Sequence, residues 1–272
     1  MKNIYLRMIT GFFFVALMIA AIFVHPLLFA FVFMFFTVFG TWEFYEIVEK
    51  LNLKPQKITG TLLSALLFIS GVYFSRELDN FAYLLLILPA FFLVFVSELF
   101  RNTETPFQNI AVTLLGIIYV GVPFASINFF QNPNLVLQGF EPWLTLGFFV
   151  ILWAHDTFAY LIGMWLGKHK LYERISPKKT WEGSIGGLTF ALITSFLMYT
   201  ITGILELHNW LIIAVIITVF GTLGDLSESQ LKRSAGIKDS GTILPGHGGI
   251  LDRFDAALMS IPFVLIYILL FI

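Results

Sequence analysis

The 272-residue chain contains no cysteine and little charge, and each shortage excludes a class of protein or site. Without cysteine, the chain can form neither disulfides nor thiolate metal sites. Charged residues make up only 12% of the chain and the formal net charge is −1, so we expect no nucleic acid among its partners. The sequence also lacks a long polar segment that would indicate a separate soluble domain, and it lacks an inverted repeat of the transporter kind.

Apolar residues are what the sequence has in excess, since 58% of the chain is hydrophobic and 32 residues are Phe. A soluble core does not need so much apolar surface, whereas a surface that faces lipid does. A membrane-spanning helix needs about 20 mostly apolar residues. This criterion predicts an all-α integral membrane protein with about nine transmembrane helices, near residues 9–25, 27–47, 59–75, 81–99, 107–130, 143–167, 183–203, 210–229 and 251–271.

The basic residues predict the orientation of these helices. If the N-terminus lies in the cytoplasm and nine spans alternate, all of the 16 Lys and Arg residues except Arg76 fall on the cytoplasmic side. Cytoplasmic loops of membrane proteins carry such an excess of basic residues. The pattern therefore places the N-terminus in the cytoplasm and the C-terminus outside.

Ionisable residues are concentrated in the last four predicted spans. Charges at membrane depth are costly and mostly mark functional sites or ion pairs. We therefore interpret residues 1–142 as N-terminal membrane helices that serve as an anchor or scaffold. Residues 143–272 are interpreted as the catalytic helices, with cytoplasmic loops 168–181 and 230–250. Whether the Phe-rich early helices face lipid or a second subunit in a homodimer stays open.

Carboxylates occur at helical spacing near the cytoplasmic ends of the last two spans. Residues three or four apart share a face of a helix, and this spacing relates Asp225 to Glu228 and Ser229, and Asp252 to Asp255. Mg²⁺ binds such carboxylate oxygens together with waters and substrate phosphates. The alternative is a set of interhelical ion pairs, in which the acids are neutralised by Lys232, Arg233 and Arg253.

The loop between these helices contains PGHGG (245–249), directly before the helix that carries Asp252. Glycine lets the backbone approach a ligand and adopt positive φ, and the N–H groups at a helix start attract phosphate. Lys238 and Asp239 enter the same loop as a charged pair. Together these features favour a combined phosphate and metal site over a simple tight turn.

A second cytoplasmic loop has a similar arrangement. Lys178 and Lys179 come just before a predicted helix start at Trp181, which is again a geometry that binds anions. The glycines of WEGSIGG (181–187) make one side of that helix small, so a neighbouring helix or a ligand can come close.

The stretch ESQLKRSAGIKDSGTILPGHGGILDRFD (228–255) resembles the signature of the phosphatidate cytidylyltransferases, also called CDP-diacylglycerol synthases. GDLSES and ISPKKTWEG, further upstream, also look like that family, whereas His155 stands where a small or amide residue is expected. The matching residues are Ser229, Lys232, Arg233, Lys238, Asp239, His247, Gly248, Gly249, Asp252, Arg253 and Asp255.

The resemblance implies that CTP and phosphatidic acid react to give CDP-diacylglycerol and pyrophosphate. It implies a multi-pass protein of the cell (inner) membrane whose active site faces the cytoplasm. It also implies Mg²⁺ as cofactor, held by Asp225 and Asp252, with Asp255 as a candidate ligand of a second cation. The implied catalytic residues are Asp225, Asp252, Lys232, Arg233 and Asp239. The implied substrate-binding residues are Lys178, Lys179, Ser229, Lys238, His247, Gly248, Gly249 and Arg253.

Two other classes of protein also use carboxylates in a membrane. A CDP-alcohol phosphotransferase would contain the run DG-x₂-AR…G-x₃-D-x₃-D on a helix, which is missing here. An ion-coupled transporter would be expected to show repeats and broken helices near the midplane, whereas the acids here cluster towards one face. Both are therefore less favoured than the cytidylyltransferase.

Overall fold

The computed structural model describes residues 2–75, 88–131, 142–243 and 248–272, which form helices and one small β-hairpin. The hairpin pairs β1 (Lys170–Tyr172) with β2 (Ser176–Thr180). The helices are α1 (Lys2–Val24), α2 (Pro26–Glu49), α3 (Lys57–Phe74), α4 (Leu88–Leu99), α5 (Pro106–Gly116), α6 (Val122–Ser126), α7 (Pro142–Leu166), α8 (Trp181–Thr202), α9 (Leu207–Ser234) and α10 (Leu251–Phe271).

Each predicted span is helical over its described residues, apart from the last residue of four spans (25, 75, 167 and 203); residues 81–87 of the fourth span lie outside the described part. Within the described residues, seven helices, counting Pro106–Gln131 as one, are long and apolar enough to cross a membrane, and two more, Ile9–Val24 and Leu88–Leu99, are shorter apolar helices. The prediction of a mainly α-helical, multi-pass membrane protein is therefore confirmed, whereas the number of about nine spans stays a prediction. The hairpin was not predicted, because KLY and SPKKT are short and lack an alternating apolar pattern.

The fifth predicted span is an irregular helix. Between α5 and α6 the backbone widens into a π-helical segment, Ile117–Gly121, and after α6 it tightens into a 3₁₀ segment, Ile127–Gln131. Pro123 lies just after the π-helical segment. Proline has no N–H and disrupts the i→i−4 ladder, and π segments relieve such a local mismatch.

The chain divides into two compact units. The first comprises Met1–Phe129 and Leu231–Phe254, and the second comprises Phe130–Gln230 and Asp255–Ile272. This division describes packing, and the predicted functional division after residue 142 stays a prediction.

The core of the first unit is rich in aromatic rings. Phe254 is 1% exposed, and its ring centroid lies 4.9 Å from that of Phe36 and 5.1 Å from that of Phe124. Such tilted and edge-to-face contacts add to the free energy of simple apolar burial. They anchor the first turn of α10 against α2 and α6.

In the second unit, α8 packs closely on α7 through small residues. A Cβ at Gly183 would lie only 2.6 Å from the Ala159 carbonyl oxygen, and a Cβ at Gly187 would lie only 2.7 Å from the His155 ring. Both distances are too short for a side chain, so only glycine allows this approach of the two helices. The small face predicted for residues 181–187 therefore accommodates a neighbouring helix. His155 itself is buried, with Nδ1 3.1 Å from the Asp156 carboxylate.

A buried carboxylate also joins several segments of the first unit. Glu98, which is 3% exposed, accepts hydrogen bonds from Gln56 Nε2 (2.6 Å), Arg101 Nη1 (2.8 Å), Thr103 Oγ1 (2.7 Å) and Asn109 Nδ2 (3.1 Å). Both oxygens of Glu98 are thereby satisfied, as a buried carboxylate requires. This cluster ties α4 to the segment before α3 and to the start of α5.

We expect Glu98→Ala to lower the free energy of unfolding by about 3 kcal/mol, because it removes four hydrogen bonds from a buried place. The apparent melting temperature of the purified protein in detergent measures this effect. Glu104→Ala, at an exposed carboxylate in the loop that follows α4, is the matched control and should leave the melting temperature nearly unchanged. Equal melting temperatures for the two variants would contradict a stabilising role for Glu98.

Candidate active site

In the first unit, the carboxylate of Asp252 is held at the start of α10 from two sides. Its Oδ1 binds Lys232 Nζ at 2.6 Å. Its Oδ2 accepts hydrogen bonds from Ser240 N (2.8 Å), Ser240 Oγ (2.9 Å) and Gly249 N (2.8 Å). Charge-assisted bonds of this kind are stronger than neutral ones. The structure thus brings together Asp252, Lys232 and Gly249 from the predicted site.

Glycine is required immediately before this helix for two different reasons. Gly248 has φ +83°, which L side chains rarely adopt, and a Cβ there would also collide with Asp252 Oδ2. A Cβ at Gly249 would collide with Ser240 Oγ and with the carboxylate of Glu43. The positive φ predicted for this loop is therefore confirmed at Gly248, whereas Gly249 makes room for protein side chains.

Glu43 is a member of this cluster that the sequence did not identify. It lies on α2, is 1% exposed, and accepts a hydrogen bond from the backbone N–H of Leu251 at 3.0 Å. Its Oε2 also lies 3.3 Å from Ser240 Oγ. The sequence signal was a carboxylate within an apolar helix, but nothing in the sequence pointed to Ser240.

In the second unit, Asp225 on α9 belongs to a polar cluster. Lys179 Nζ lies 2.6 Å from Asp225 Oδ2, and Ser229 Oγ donates to Asp225 Oδ1 at 3.2 Å. The carboxylate of Asp255 interacts electrostatically with those of Asp225, Glu228 and Asp156. The structure therefore brings Asp225, Ser229 and Lys179 together and places Asp255 among carboxylates of the same unit.

The β-hairpin explains why Lys179 points to this cluster. β2 ends at Thr180, whose side chain caps α8 by accepting from the Gly183 N–H at 3.2 Å. At the same end of the hairpin, Glu182 accepts from the backbone N–H groups of Lys168 (3.1 Å) and His169 (3.2 Å), which directly precede β1. The helix start predicted at Trp181 is confirmed, and the strand before it fixes the two lysines.

The remaining predicted residues are mostly on the surface. Arg233 donates from Nη1 to the Ile237 carbonyl oxygen at 3.1 Å. His247 lies outside the described residues. The exposed members of the predicted set are Lys178, Arg233, Lys238, Asp239 and Arg253.

The carboxylates were also compared with the requirements of a metal ion. Within the described residues, no group of three or more His, Asp or Glu side chains is arranged to hold one. Mg²⁺, however, is commonly bound through one or two carboxylates, with waters and substrate phosphates completing its shell. Asp225 and Asp252 supply the hard oxygen donors that it prefers, and each now binds a lysine. The donor chemistry fits Mg²⁺, and one of the ion pairs of the alternative interpretation, that of Lys232 with Asp252, is also present.

The chain was compared with known proteins. The profile of the family described as "Cytidylyltransferase family" matches residues 5–271. A protein of Bacillus subtilis (strain 168) named phosphatidate cytidylyltransferase is 36% identical over 261 residues, which are 89% of this chain and 94% of the relative. Proteins of the same name from Staphylococcus saprophyticus and Staphylococcus haemolyticus (strain JCSC1435) are 42% and 41% identical, each over 65% of both chains.

We expect Gly248→Ala to destabilise the protein more than Gly236→Ala. Both glycines have positive φ, so both substitutions carry a backbone cost of about 1–2 kcal/mol. Only at Gly248 would the added Cβ also displace the Asp252 carboxylate, because no atom of the described residues beyond the chain neighbours lies within 4 Å of a Cβ at Gly236. Apparent melting temperatures in detergent measure the difference, and equal decreases would show that the contact with Asp252 has no effect on stability.

Proposed function

Since the chain belongs to the cytidylyltransferase family, we propose that it is a phosphatidate cytidylyltransferase, which transfers the cytidylyl group of CTP to phosphatidic acid and releases CDP-diacylglycerol and pyrophosphate. The observation that carries the proposal is the 36% identity to the Bacillus subtilis protein of that name over 89% of this chain. The ordered polar cluster at the start of α10 supports it, because it lies within the stretch that resembles the family's signature.

The proposed reaction requires no nucleophile from the protein. An oxygen of the phosphatidic acid phosphate attacks the α-phosphorus of CTP, and the bond from that phosphorus to the bridging oxygen of the β-phosphate breaks. The electron pair leaves with pyrophosphate. In such phosphoryl-type transfers, the protein contributes positioning and stabilisation of negative charge. The chain supplies both, through basic side chains and an ordered helix start.

The proposed roles follow from the charges of the predicted residues. The basic side chains neutralise the triphosphate and the lipid phosphate: Lys178, Lys179, Lys232, Arg233 and Arg253. Lys238, Asp239 and His247 shape the nucleotide pocket or orient the pyrophosphate. Ser229, Gly248 and Gly249 complete the set of substrate-binding residues, and Gly249 also leaves space for Ser240.

We further propose that the reaction depends on Mg²⁺, with Asp225 and Asp252 as ligands and Asp255 available to a second cation. When bound, Mg²⁺ supplies electrostatic stabilisation of the charge that develops on the phosphate oxygens. Two serines help to hold these carboxylates in place: the Ser229 hydroxyl donates a hydrogen bond to Asp225, and the Ser240 hydroxyl donates one to Asp252.

The proposed topology has nine spans in the cell (inner) membrane, with the N-terminus and the active site in the cytoplasm. The strong asymmetry of the basic residues supports it. This arrangement suits a reaction in which one substrate is dissolved in water and the other lies in the bilayer. The proposed partners are CTP and phosphatidic acid; nucleic acid is not among them, and association as a homodimer is a further proposal.

We expect purified protein in detergent micelles to convert radiolabelled CTP into a lipid-soluble product only when phosphatidic acid and Mg²⁺ are both present. EDTA should abolish the turnover, and excess Mg²⁺ should restore it. Asp252→Asn should lower kcat by at least about a hundredfold, because it removes the charge that binds Lys232 and that we assign to the metal.

The matched control is Glu104→Gln, at an exposed carboxylate of the same unit that is outside the predicted site, and it should retain the wild-type kcat. Full activity of Asp252→Asn would contradict the assigned role of Asp252. If the folded wild-type protein makes no lipid-soluble product under conditions in which a known synthase is active, the proposed function is wrong.

The topology can be tested with single cysteines, because the native chain has none. We expect Glu173→Cys, in the β-hairpin, to react with an impermeant thiol reagent only from the cytoplasmic side. Glu206→Cys, between α8 and α9, should react only from outside. Both side chains are exposed, so labelling of the two variants from the same side would contradict the alternating spans.

A further inference from the structure

Two side chains from distant parts of the sequence satisfy the backbone at the start of α10. The first N–H groups of a helix have no partner within the helix. Leu251 N donates to Glu43 Oε2 at 3.0 Å, across 208 residues of sequence, and Asp252 N donates to Ser240 Oγ at 3.3 Å. The start of α10 is therefore held in place both by α2, which carries Glu43, and by the segment between α9 and α10, which carries Ser240.

The Ser240 hydroxyl has a single proton and two carboxylates beside it. Asp252 Oδ2 lies 2.9 Å from Ser240 Oγ, whereas Glu43 Oε2 lies at 3.3 Å. The shorter distance indicates that the Ser240 hydroxyl donates its hydrogen bond to Asp252. The principal contact of Glu43 is therefore with the helix backbone, and the principal contact of Ser240 is with the carboxylate itself.

Two glycines leave the space that this arrangement needs. A Cβ at Gly241 would collide with Glu43 Oε1, and a Cβ at Gly249 would collide with Glu43 Oε2 and Ser240 Oγ. Glu43 and Ser240 are both buried, at 1% and 4% exposure. Backbone and side chains thus enclose the Glu43 carboxylate closely.

We propose that Glu43 and Ser240 are positioning residues for Asp252: Glu43 fixes the first turn of α10 from α2, and Ser240 fixes the Asp252 carboxylate within that turn. The proposal rests on the proposed function, since it assigns the two residues to the same reaction. It makes α2, in the part of the chain interpreted as a scaffold, a direct support of the catalytic carboxylate.

The experiment compares Glu43→Ala, Glu43→Gln and Ser240→Ala with Glu46→Ala. Glu46 is the matched control, because it is a carboxylate on the same helix but is exposed, and it accepts a hydrogen bond from Trp42 Nε1 at 3.0 Å on that helix. Two quantities are measured on folded protein: kcat and KM for CTP, and hydrogen–deuterium exchange of the peptide that contains residues 249–254.

We expect Glu43→Ala to lower kcat by about tenfold to a hundredfold, since small displacements of catalytic groups have effects of this size. The KM for CTP should change by less than about threefold if only the Asp252 geometry is affected. Exchange in the 249–254 peptide should become faster, because the Leu251 N–H loses its acceptor. Glu46→Ala should change neither quantity.

Glu43→Gln provides the conservative rescue. A glutamine can place its carbonyl oxygen at the position of Oε2, and its amide at the position of Oε1, which has no hydrogen-bond partner among the described residues. We therefore expect Glu43→Gln to recover most of the kcat lost in Glu43→Ala. Ser240→Ala should lower kcat as well. In the double variant Glu43→Ala/Ser240→Ala, the fold decrease in kcat should be smaller than the product of the two single decreases.

The proposal is wrong if wild-type protein is active and folded Glu43→Ala or Ser240→Ala has wild-type kcat. It is also wrong if kcat falls without faster exchange in the 249–254 peptide. If Glu43→Ala does not fold, Glu43→Asp takes its place beside Ser240→Ala with the same two measurements and the same expected outcomes, because its side chain is one methylene too short to keep the carboxylate at Leu251 N. If wild-type protein is inactive, the proposed function fails, and unchanged exchange in Glu43→Ala would separately overturn the positioning role of Glu43.

Discussion

The start of α10 is the feature on which the polar part of the first unit depends. The backbone N–H groups of a helix start must find acceptors when they are buried, and a buried carboxylate must find donors. Asp252, Ser240 and Glu43 satisfy both requirements at one place, within hydrogen bonds of 2.8–3.3 Å. Lys232 then neutralises Asp252 from the end of α9. Each member of this cluster would be costly to bury alone, and together they form an ordered polar site against apolar helices.

Close backbone approach is the second recurring constraint. Gly249 and Gly241 leave space for Glu43 in the first unit, and the glycines of α8 let it approach α7 in the second. In a membrane, lipid is as apolar as a leucine side chain, so helices associate through close packing rather than through a hydrophobic driving force. Glycine therefore has the same physical role in both places. Because it has no Cβ, the side chains of Glu43 and Ser240 can lie against the backbone at the candidate site, and α7 can lie against the backbone of α8.

The sequence predicted the helices well and the site only in part. Spans follow from local hydropathy, so the predicted bounds agree with α2, α3, α7 and α10 to within a few residues. The hairpin and the π-helical segment leave no such local signal. Glu43 was visible as a carboxylate in an apolar helix, but its partner Ser240 is 197 residues away and has an ordinary side chain. Contacts that join distant segments depend on tertiary packing, which periodicity and motif spacing do not describe.

The two lysine–aspartate pairs differ in a way that bears on the proposed reaction. The side chains of Lys179 and Asp225 are 26% and 32% exposed, whereas those of Lys232 and Asp252 are 11% and 9% exposed. Solvent screens a partly exposed pair more than a buried one, so the Lys179–Asp225 contact costs less to exchange than the Lys232–Asp252 contact. Separating a buried pair leaves a charge without compensation. Lys179 is therefore the lysine better suited to transfer its contact from a carboxylate to an incoming phosphate, and Lys232 is better suited to hold Asp252 in place.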